Sequence, residues 1–234
     1  MNNTTLQLKI KQRLNKLASN DYDNIECWQI VEAFNKAQIQ WIRRQLVGIN
    51  ILKQGDEQSK RKIDDLQPLL TVADMAYSNM PGYVISETLP ADYMEFKRVD
   101  AYGSNDCCPD PRRFVVYLAE EANAAILLRD ENKKPSFDWA ETFCTLAGNK
   151  LKLYTNDEFT VTDAKLMYYR EPINIQIAGC VNPYTGTISP TDVECEFKDD
   201  VTETLIDEAV QVLAGDIESI TQYQIAQSAG DENS

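Results

Sequence analysis

The chain has 234 residues, 43% of them hydrophobic, which is enough apolar side chain to build a sizeable buried core. It carries 23 Lys and Arg against 37 Asp and Glu, a net charge of −14, and it contains no histidine. This charge argues against a protein that grips nucleic acid through basic side chains. The missing histidine removes the usual zinc partner and the Ser-His and Cys-His nucleophile systems.

The first two predicted elements are helices. Thr4 or Thr5 can cap a helix that runs to about Ala18. A second helix is predicted to begin near residues 21–24 and to run to about Leu52, which makes it far longer than an average globular helix. Its apolar side chains recur every three or four residues, a spacing typical of core packing. We therefore expect the structural core to include Trp28, Val31, Phe34 and Trp41.

Short strands are predicted between residues 83 and 169, where runs of β-branched and aromatic residues alternate with turn residues. Gly148-Asn149 stands at the tip of a predicted hairpin. After Pro172, the turn residues at 182–186 and 189–190 predict an irregular arm. Together these runs predict a small antiparallel β region.

The last predicted element is an amphipathic helix that begins at Asp199 or Asp200. Its inner face is predicted to place Leu205 and Leu213 in the core. The apolar stripe continues beyond this point and predicts a docking element for a partner, formed by Ile217, Ile220, Tyr223 and Ile225. The alternative, in which the helix covers the protein's own β region, remains open.

The sequence thus predicts an α+β fold with N-terminal helices, one of them very long, a small inserted antiparallel β region and a closing C-terminal amphipathic helix. We expect a helical domain from residues 1–62 plus 199–234 and a β-rich region with loops from residues 63–198. No apolar run approaches the ~20 residues that a membrane-spanning helix needs, so no membrane association is expected.

The chain offers little that points to catalysis. No nucleotide-binding, hydrolase or metal-binding motif occurs, and we predict no catalytic residue, no metal site and no cofactor. The six cysteines are expected to be reduced thiols, since no secretion signal is evident. Two other functions remain open. The abundant carboxylates could serve an Asp/Glu-dependent hydrolase of the glycosidase type, or their density could mimic DNA in a regulatory protein.

The charge is unevenly distributed. Residues 1–62 hold 11 basic and 6 acidic side chains, whereas the segment from Asp199 to the end holds nine acids and no Lys or Arg. An acidic surface repels phosphate, so the chain could let DNA slide past without binding it.

Several stretches together resemble a known family. Residues 89–94 (LPADYM), followed by a strand-like run from Glu95 to Tyr102, are similar to the entry into the β region of head–tail connector proteins of tailed bacteriophages. Residues 150–154 (KLKLY), then 168–172 (YYREP), then an acid-led terminal helix, follow in the family's order. The length, paired N-terminal helices and β insertion most resemble the ring proteins of crAss-like phages, over residues 21–52 and 83–227.

The resemblance implies a structural virion protein rather than an enzyme. Such proteins form a ring, usually of twelve copies, below the portal, where they join capsid to tail and extend the DNA channel. The implied partners are further copies of the chain, the portal protein and other neck or tail proteins, with DNA passing through without specific binding. The implied location is the virion neck, with host cytoplasm during assembly.

Overall fold

The computed structural model describes residues 1–14, 25–47 and 63–216. The chain divides into two compact units, Met1–Pro68 with Pro172–Ser234, and Leu69–Glu171. We call them the helical unit and the sheet unit. Residues 172–198, which the sequence analysis assigned to the β-rich region, lie in the helical unit.

The helices are α1 (Asn3–Leu14), α2 (Cys27–Val47), the short α3 (Ala124–Leu127) of the sheet unit and α4 (Asp199–Asp216). Residues 63–66 are also helical. The N-cap of α1 is Asn2, whose side-chain oxygen accepts the N–H of Thr5 at 2.8 Å. None of these helices is long and apolar enough to cross a membrane, and the same holds for all described residues.

The helical unit is held together by apolar faces that repeat at helical spacing. Leu6, Ile10 and Leu14 of α1 are buried. On α2 the ring of Trp41 meets the ring of Phe197 edge to face, with 5.4 Å between the centroids. The buried residues of α2 and α4 also include Ile30, Val31, Phe34, Ala37, Ile42, Leu205, Ala209 and Leu213.

The sheet unit contains β1 (Leu70–Asp74), β2 (Tyr77–Met80), β3 (Tyr83–Ser86), β4 (Tyr93–Asn105), β5 (Cys108–Ala119), β6 (Glu141–Ala147), β7 (Lys150–Tyr154) and β8 (Thr160–Arg170). They form one eight-stranded sheet in the order β1-β8-β4-β5-β6-β7-β3-β2. Neighbouring strands run antiparallel, except that β5 and β6 are parallel. A parallel pair needs a crossover, and the segment with α3 provides it.

The sheet curls around its own apolar face, which forms the core of the unit. Side chains on this face alternate with outward polar ones, as with buried Val99 and Ala101 beside Asp100 on β4. At Gly103 a side chain would clash, because a Cβ atom would lie 2.9 Å from the ring of Phe159. The remaining core includes Val84, Phe114, Phe137, Cys144, Leu151, Leu153, Val161, Leu166 and Tyr168.

The predicted fold class is therefore wrong. The β region is not a small insertion: the eight-stranded sheet dominates the fold, and within the described residues α1 spans 12 residues and α2 spans 21. The predicted ends of these helices, near Ala18 and Leu52, lie outside the described residues. Local periodicity predicts each strand separately. The size of a sheet depends on pairing between distant segments, such as β1 with β8, and periodicity carries no information on that pairing.

Two of the stretches behind the family resemblance meet in the sheet unit. The hydroxyl of Tyr168, near the end of β8, donates to the carboxylate of Asp92 at 2.9 Å. The N–H of Glu171 donates to the carbonyl of Asp92 at 2.7 Å, and the rings of Tyr93 and Tyr168 lie 5.7 Å apart. The 89–94 and 168–172 motifs are thus one structural junction, where β4 begins and β8 ends.

Candidate interaction surface

The helical unit carries a segment without charged residues. Residues 172–191 form a run of 20 residues without Asp, Glu, Lys or Arg, in a chain of which 26% is charged. We call this segment the arm. At the chain's average composition about five charges would be expected here, so the arm is a neutral element in a strongly acidic protein.

The first half of the arm is fixed to α2. The side chain of buried Asn35 binds the backbone of Ile175 in both directions: its oxygen accepts the N–H at 2.9 Å and its amide donates to the carbonyl at 3.4 Å. A disulfide joins Cys180 to Cys27 at the start of α2, with 5.9 Å between the Cα atoms. The side chain of Tyr184 at the tip is also hydrogen-bonded to Asn35, so these bonds hold the arm against α2.

The tip of the arm is a tight hairpin. The N–H of Ser189 donates to the carbonyl of Cys180 at 2.8 Å, and the N–H of Asn182 donates to the carbonyl of Thr187 at 2.8 Å. Gly186 adopts a φ of +70°, which closes the turn at no steric cost. The turn is therefore well determined by its own backbone bonds.

The hairpin directs apolar side chains outward. Val181 and Ile188 face each other across the hairpin in a single β-bridge. Ile188 is 67% exposed and Tyr184 is 55% exposed, while Cys180 and Ser189 point inward and are buried. A rigid, neutral element with exposed aliphatic and aromatic side chains is suited to docking another protein.

The disulfide corrects one expectation from the sequence. All six cysteines were expected to be reduced, but Cys27 and Cys180 are paired. The two are 153 residues apart, and spacing alone cannot reveal such a pairing. The other four are free, with Cys107 exposed and Cys144 and Cys195 buried.

The proposed core residues lie in the helical unit. Val31, Phe34, Trp41, Leu205 and Leu213 are buried. Trp28 is half-buried, and its indole N–H donates to the carboxylate of Glu26. The predicted partner residues Ile217, Ile220, Tyr223 and Ile225 lie outside the described residues, so that docking element stays a prediction.

The acids of α4 are bound by cations of the same unit. Arg13 of α1 binds Glu203 and Asp207, each at 2.5 Å, and Lys9 also contacts Glu203. Glu203 and Asp207 thus join α4 to α1. Because cations of the same chain bind these carboxylates, they are not available to mimic the phosphate backbone of DNA.

A groove between α2 and α4 holds a carboxylate whose pKa is strongly perturbed. Burial raises the pKa of Glu208 to about 7, against the opposing effect of Arg44, whose guanidinium contacts it. A glycosidase needs two carboxylates that face one substrate. The groove has a volume of about 550 Å³, and Glu208 is the one carboxylate among its described lining residues, which are Lys36, Gln40, Arg43, Arg44, Glu208, Gln211, Val212 and Gly215.

In the described ranges no group of three Cys, Asp or Glu side chains is close enough to hold a metal ion. The acids of the sheet unit also have structural partners. The carboxylate of Glu121 is bound by Lys152 and by the hydroxyl of Thr145, and these contacts hold its pKa below the usual range. This carboxylate fixes the 3₁₀ turn at Glu121–Asn123 to the sheet.

The turn residues allowed the arm to be predicted from the sequence, but its attachment and its exposed apolar side chains were not predicted. The missed residues are Asn35, which fixes it, and Val181, Tyr184 and Ile188, which it presents. The available signal was the absence of charge over residues 172–191. No protein-family model matches the chain, and no curated protein matches it either.

Proposed function

We propose that the protein is a structural virion subunit that associates with further copies of itself through the arm, and that these copies form the neck adaptor ring of a tailed bacteriophage. The observation that carries the proposal is the neutral, apolar-tipped arm of a chain with net charge −14. The phage setting rests on the family resemblance, whose two motifs form one junction at Asp92 and Tyr168.

The net charge of the chain favours a second copy of the protein as the partner that binds the arm. Two chains of net charge −14 repel each other wherever their acidic surfaces approach. The arm is the longest uncharged segment of the sequence, so it is a surface on which like-charged copies can meet. Burying Val181, Tyr184 or Ile188 at such a contact would contribute roughly 1–3 kcal/mol each.

The geometry of a ring follows from the type of contact. When the arm of one copy binds a different surface of the next copy, the contact is heterologous, and repetition of it closes a ring if the rotation between neighbouring copies divides a full turn evenly. The resemblance gives twelve as the usual number of copies, placed below the portal and above further neck or tail proteins. DNA passes through such a ring without specific binding, in keeping with the net negative charge.

The test compares two single substitutions at equally exposed apolar side chains. Ile188→Ser removes an aliphatic side chain from the arm, and Leu8→Ser removes one from α1, where Leu8 is 64% exposed. Mass photometry should show wild-type assemblies of about 320 kDa for twelve copies of the 26.6 kDa chain. Ile188→Ser should shift the protein to monomers, whereas Leu8→Ser should assemble as the wild type does.

Purified virions provide a second test of the proposal. Mass spectrometry of purified virions should find the chain at about the same copy number as the portal, and imaging should place it at the neck. A wild-type protein that stays monomeric at every concentration and is missing from virions would show the proposal to be wrong. Equal assembly of Ile188→Ser and wild type would exclude the arm as the contact.

A further inference from the structure

The sheet unit presents a tryptophan to solvent. Trp139 is 81% exposed and lies in the loop 136–141, which leads into β6. Tryptophan buries more apolar area at a contact than other side chains and is enriched where proteins bind partners. The residues around Trp139 should therefore explain why its indole ring is exposed.

The loop that carries the tryptophan is closed by backbone hydrogen bonds. Ser136 and Glu141 exchange two backbone hydrogen bonds of 2.9 and 3.2 Å across it. Phe137 points inward, where its ring lies 6.0 Å from the ring of Phe114. Ala140 has a φ of +52°, a left-handed conformation that residues with a side chain seldom adopt. The loop thus buries one aromatic ring and holds the next one outside.

Strand β5 extends this exposed area. The N–H of Val115 donates to the carbonyl of Ala140 at 2.8 Å, which places the strand beside the loop. Val115 and Tyr117 are both exposed, and the hydroxyl of Tyr117 donates to the carboxylate of Glu141 at 3.4 Å. We define the Trp139 surface by five residues: Val115, Tyr117, Asp138, Trp139 and Glu141.

The acids of this surface have no cationic partner. Among the described residues no ion pair includes Asp138 or Glu141. The cation of β5 closest in sequence to Val115, Arg113, binds Asp100 at 2.5 Å. Arg112 of β5 stacks on the ring of Phe137, 4.8 Å from its centroid, and forms no ion pair with Asp138 or Glu141. Two aromatic rings and two carboxylates that form no ion pair among the described residues therefore occupy neighbouring positions.

We infer that the Trp139 surface binds a basic segment of a partner protein, in which an arginine side chain stacks on Trp139 and pairs with Asp138 or Glu141. A planar guanidinium is attracted by an aromatic face and binds carboxylates through its donors. The net charge of −14 would steer a basic partner toward the protein. This contact is separate from the arm, so its failure would leave the proposed self-association unaffected.

A short basic peptide provides the probe. A fluorescein-labelled peptide of three arginines separated by glycines is titrated with the full chain in about 150 mM NaCl, and binding is read from anisotropy. Trp139→Ala should weaken binding by about tenfold, and Trp139→Phe, which keeps a ring, by less than about threefold. Removing both carboxylates with Asp138→Asn and Glu141→Gln should weaken it by about tenfold.

A matched control separates this surface from general attraction. Glu158→Gln removes one exposed carboxylate from the same unit and should leave binding within about twofold of wild type. Circular dichroism of each variant confirms that it is folded. Unchanged binding by Trp139→Ala overturns the inference. An equal loss with Glu158→Gln also overturns it, because the peptide would then respond only to net charge.

Discussion

At the scale of single residues, the environment of Glu208 strongly changes its acidity. Its side chain is 2% exposed, and this burial raises the pKa of the carboxyl from 4.5 to about 7, although Arg44 acts in the opposite direction. The chain has no histidine. Few other groups therefore titrate between pH 5 and 8, and this carboxyl should dominate the pH dependence of stability in that interval.

The sign of this effect follows from proton binding. Below pH 4.5 the carboxyl is protonated in both the folded and the unfolded state and contributes nothing. Between pH 4.5 and about 7 the folded protein keeps a proton that the unfolded chain has released, so the free energy of unfolding falls as the pH rises. Above about 7 the loss is complete.

We expect Glu208→Gln to gain stability relative to wild type as the pH rises. The difference in the free energy of unfolding should grow by about 2–3 kcal/mol between about pH 5 and 8. Urea denaturation at several pH values measures it. Glu158→Gln, at an exposed site, is the control and should differ from wild type by a constant amount. A pH-independent difference for Glu208→Gln would mean that the carboxyl is not desolvated.

At the scale of elements, the sequence predicted what depends on neighbouring residues. The β6–β7 hairpin with Gly148-Asn149 at its tip is confirmed, because both turn residues have positive φ and the strands pair around them. Strands β1 and β2 were missed. Neither strand contains a fully buried position, and β1 forms only by pairing with β8, nearly a hundred residues away.

The arm was less predictable from the sequence than the β6–β7 hairpin. Turn residues at 182–186 predicted an irregular arm, and the hairpin forms there. Neither its attachment to Asn35 nor its disulfide to Cys27 follows from local pattern, because each joins segments more than a hundred residues apart. The loop with Trp139 gave no signal at all, since its exposure depends on the conformation of Ala140.

The contact between α1 and α4 explains part of the uneven distribution of charge along the sequence. Basic α1 and acidic α4 are joined by Arg13, which bridges Glu203 and Asp207. Arg13 and both acids are partly shielded from water, so these pairs should contribute more than a fully exposed ion pair does. The two ends of the described chain therefore fold together partly through opposite charge.

Arg13→Ala should destabilise the helical unit by about 1–3 kcal/mol, since it leaves two carboxylates without their shared partner. The loss should shrink in high salt, where charge interactions are screened. Lys11→Ala is a suitable control because Lys11 lies on the same helix and forms no ion pair with the described residues. Thermal unfolding at low and high NaCl measures both variants. Equal losses of stability in Arg13→Ala and Lys11→Ala would show that helix propensity, rather than the ion pairs, causes the destabilisation.

At the scale of the whole molecule, net charge sets the conditions for assembly. In the proposed ring each copy would bring a net charge of −14, so repulsion between copies would oppose the apolar contacts proposed for the arm. Salt shortens the range of this repulsion, from about 14 Å near 50 mM to about 4 Å near 500 mM. Apolar contacts are not weakened by this screening.

Raising NaCl from about 50 to 500 mM should therefore strengthen self-association, with about a tenfold fall in the protein concentration at which half of the chains are assembled. Analytical ultracentrifugation at a series of salt concentrations measures this midpoint. The Ile188→Ser variant serves as the comparison and should stay monomeric throughout. Dissociation of the wild-type assembly by salt would mean that ion pairs between copies hold it together.

The disulfide between Cys27 and Cys180 closes a covalent loop whose ends are 153 residues apart, and the whole sheet unit lies inside that loop. A protease that cuts the backbone once anywhere between β1 and β8 therefore releases no fragment, because both pieces remain linked through sulfur. In the proposed virion, a subunit nicked by a host or environmental protease would keep both halves in place. The link thus confers tolerance to backbone damage in addition to stability.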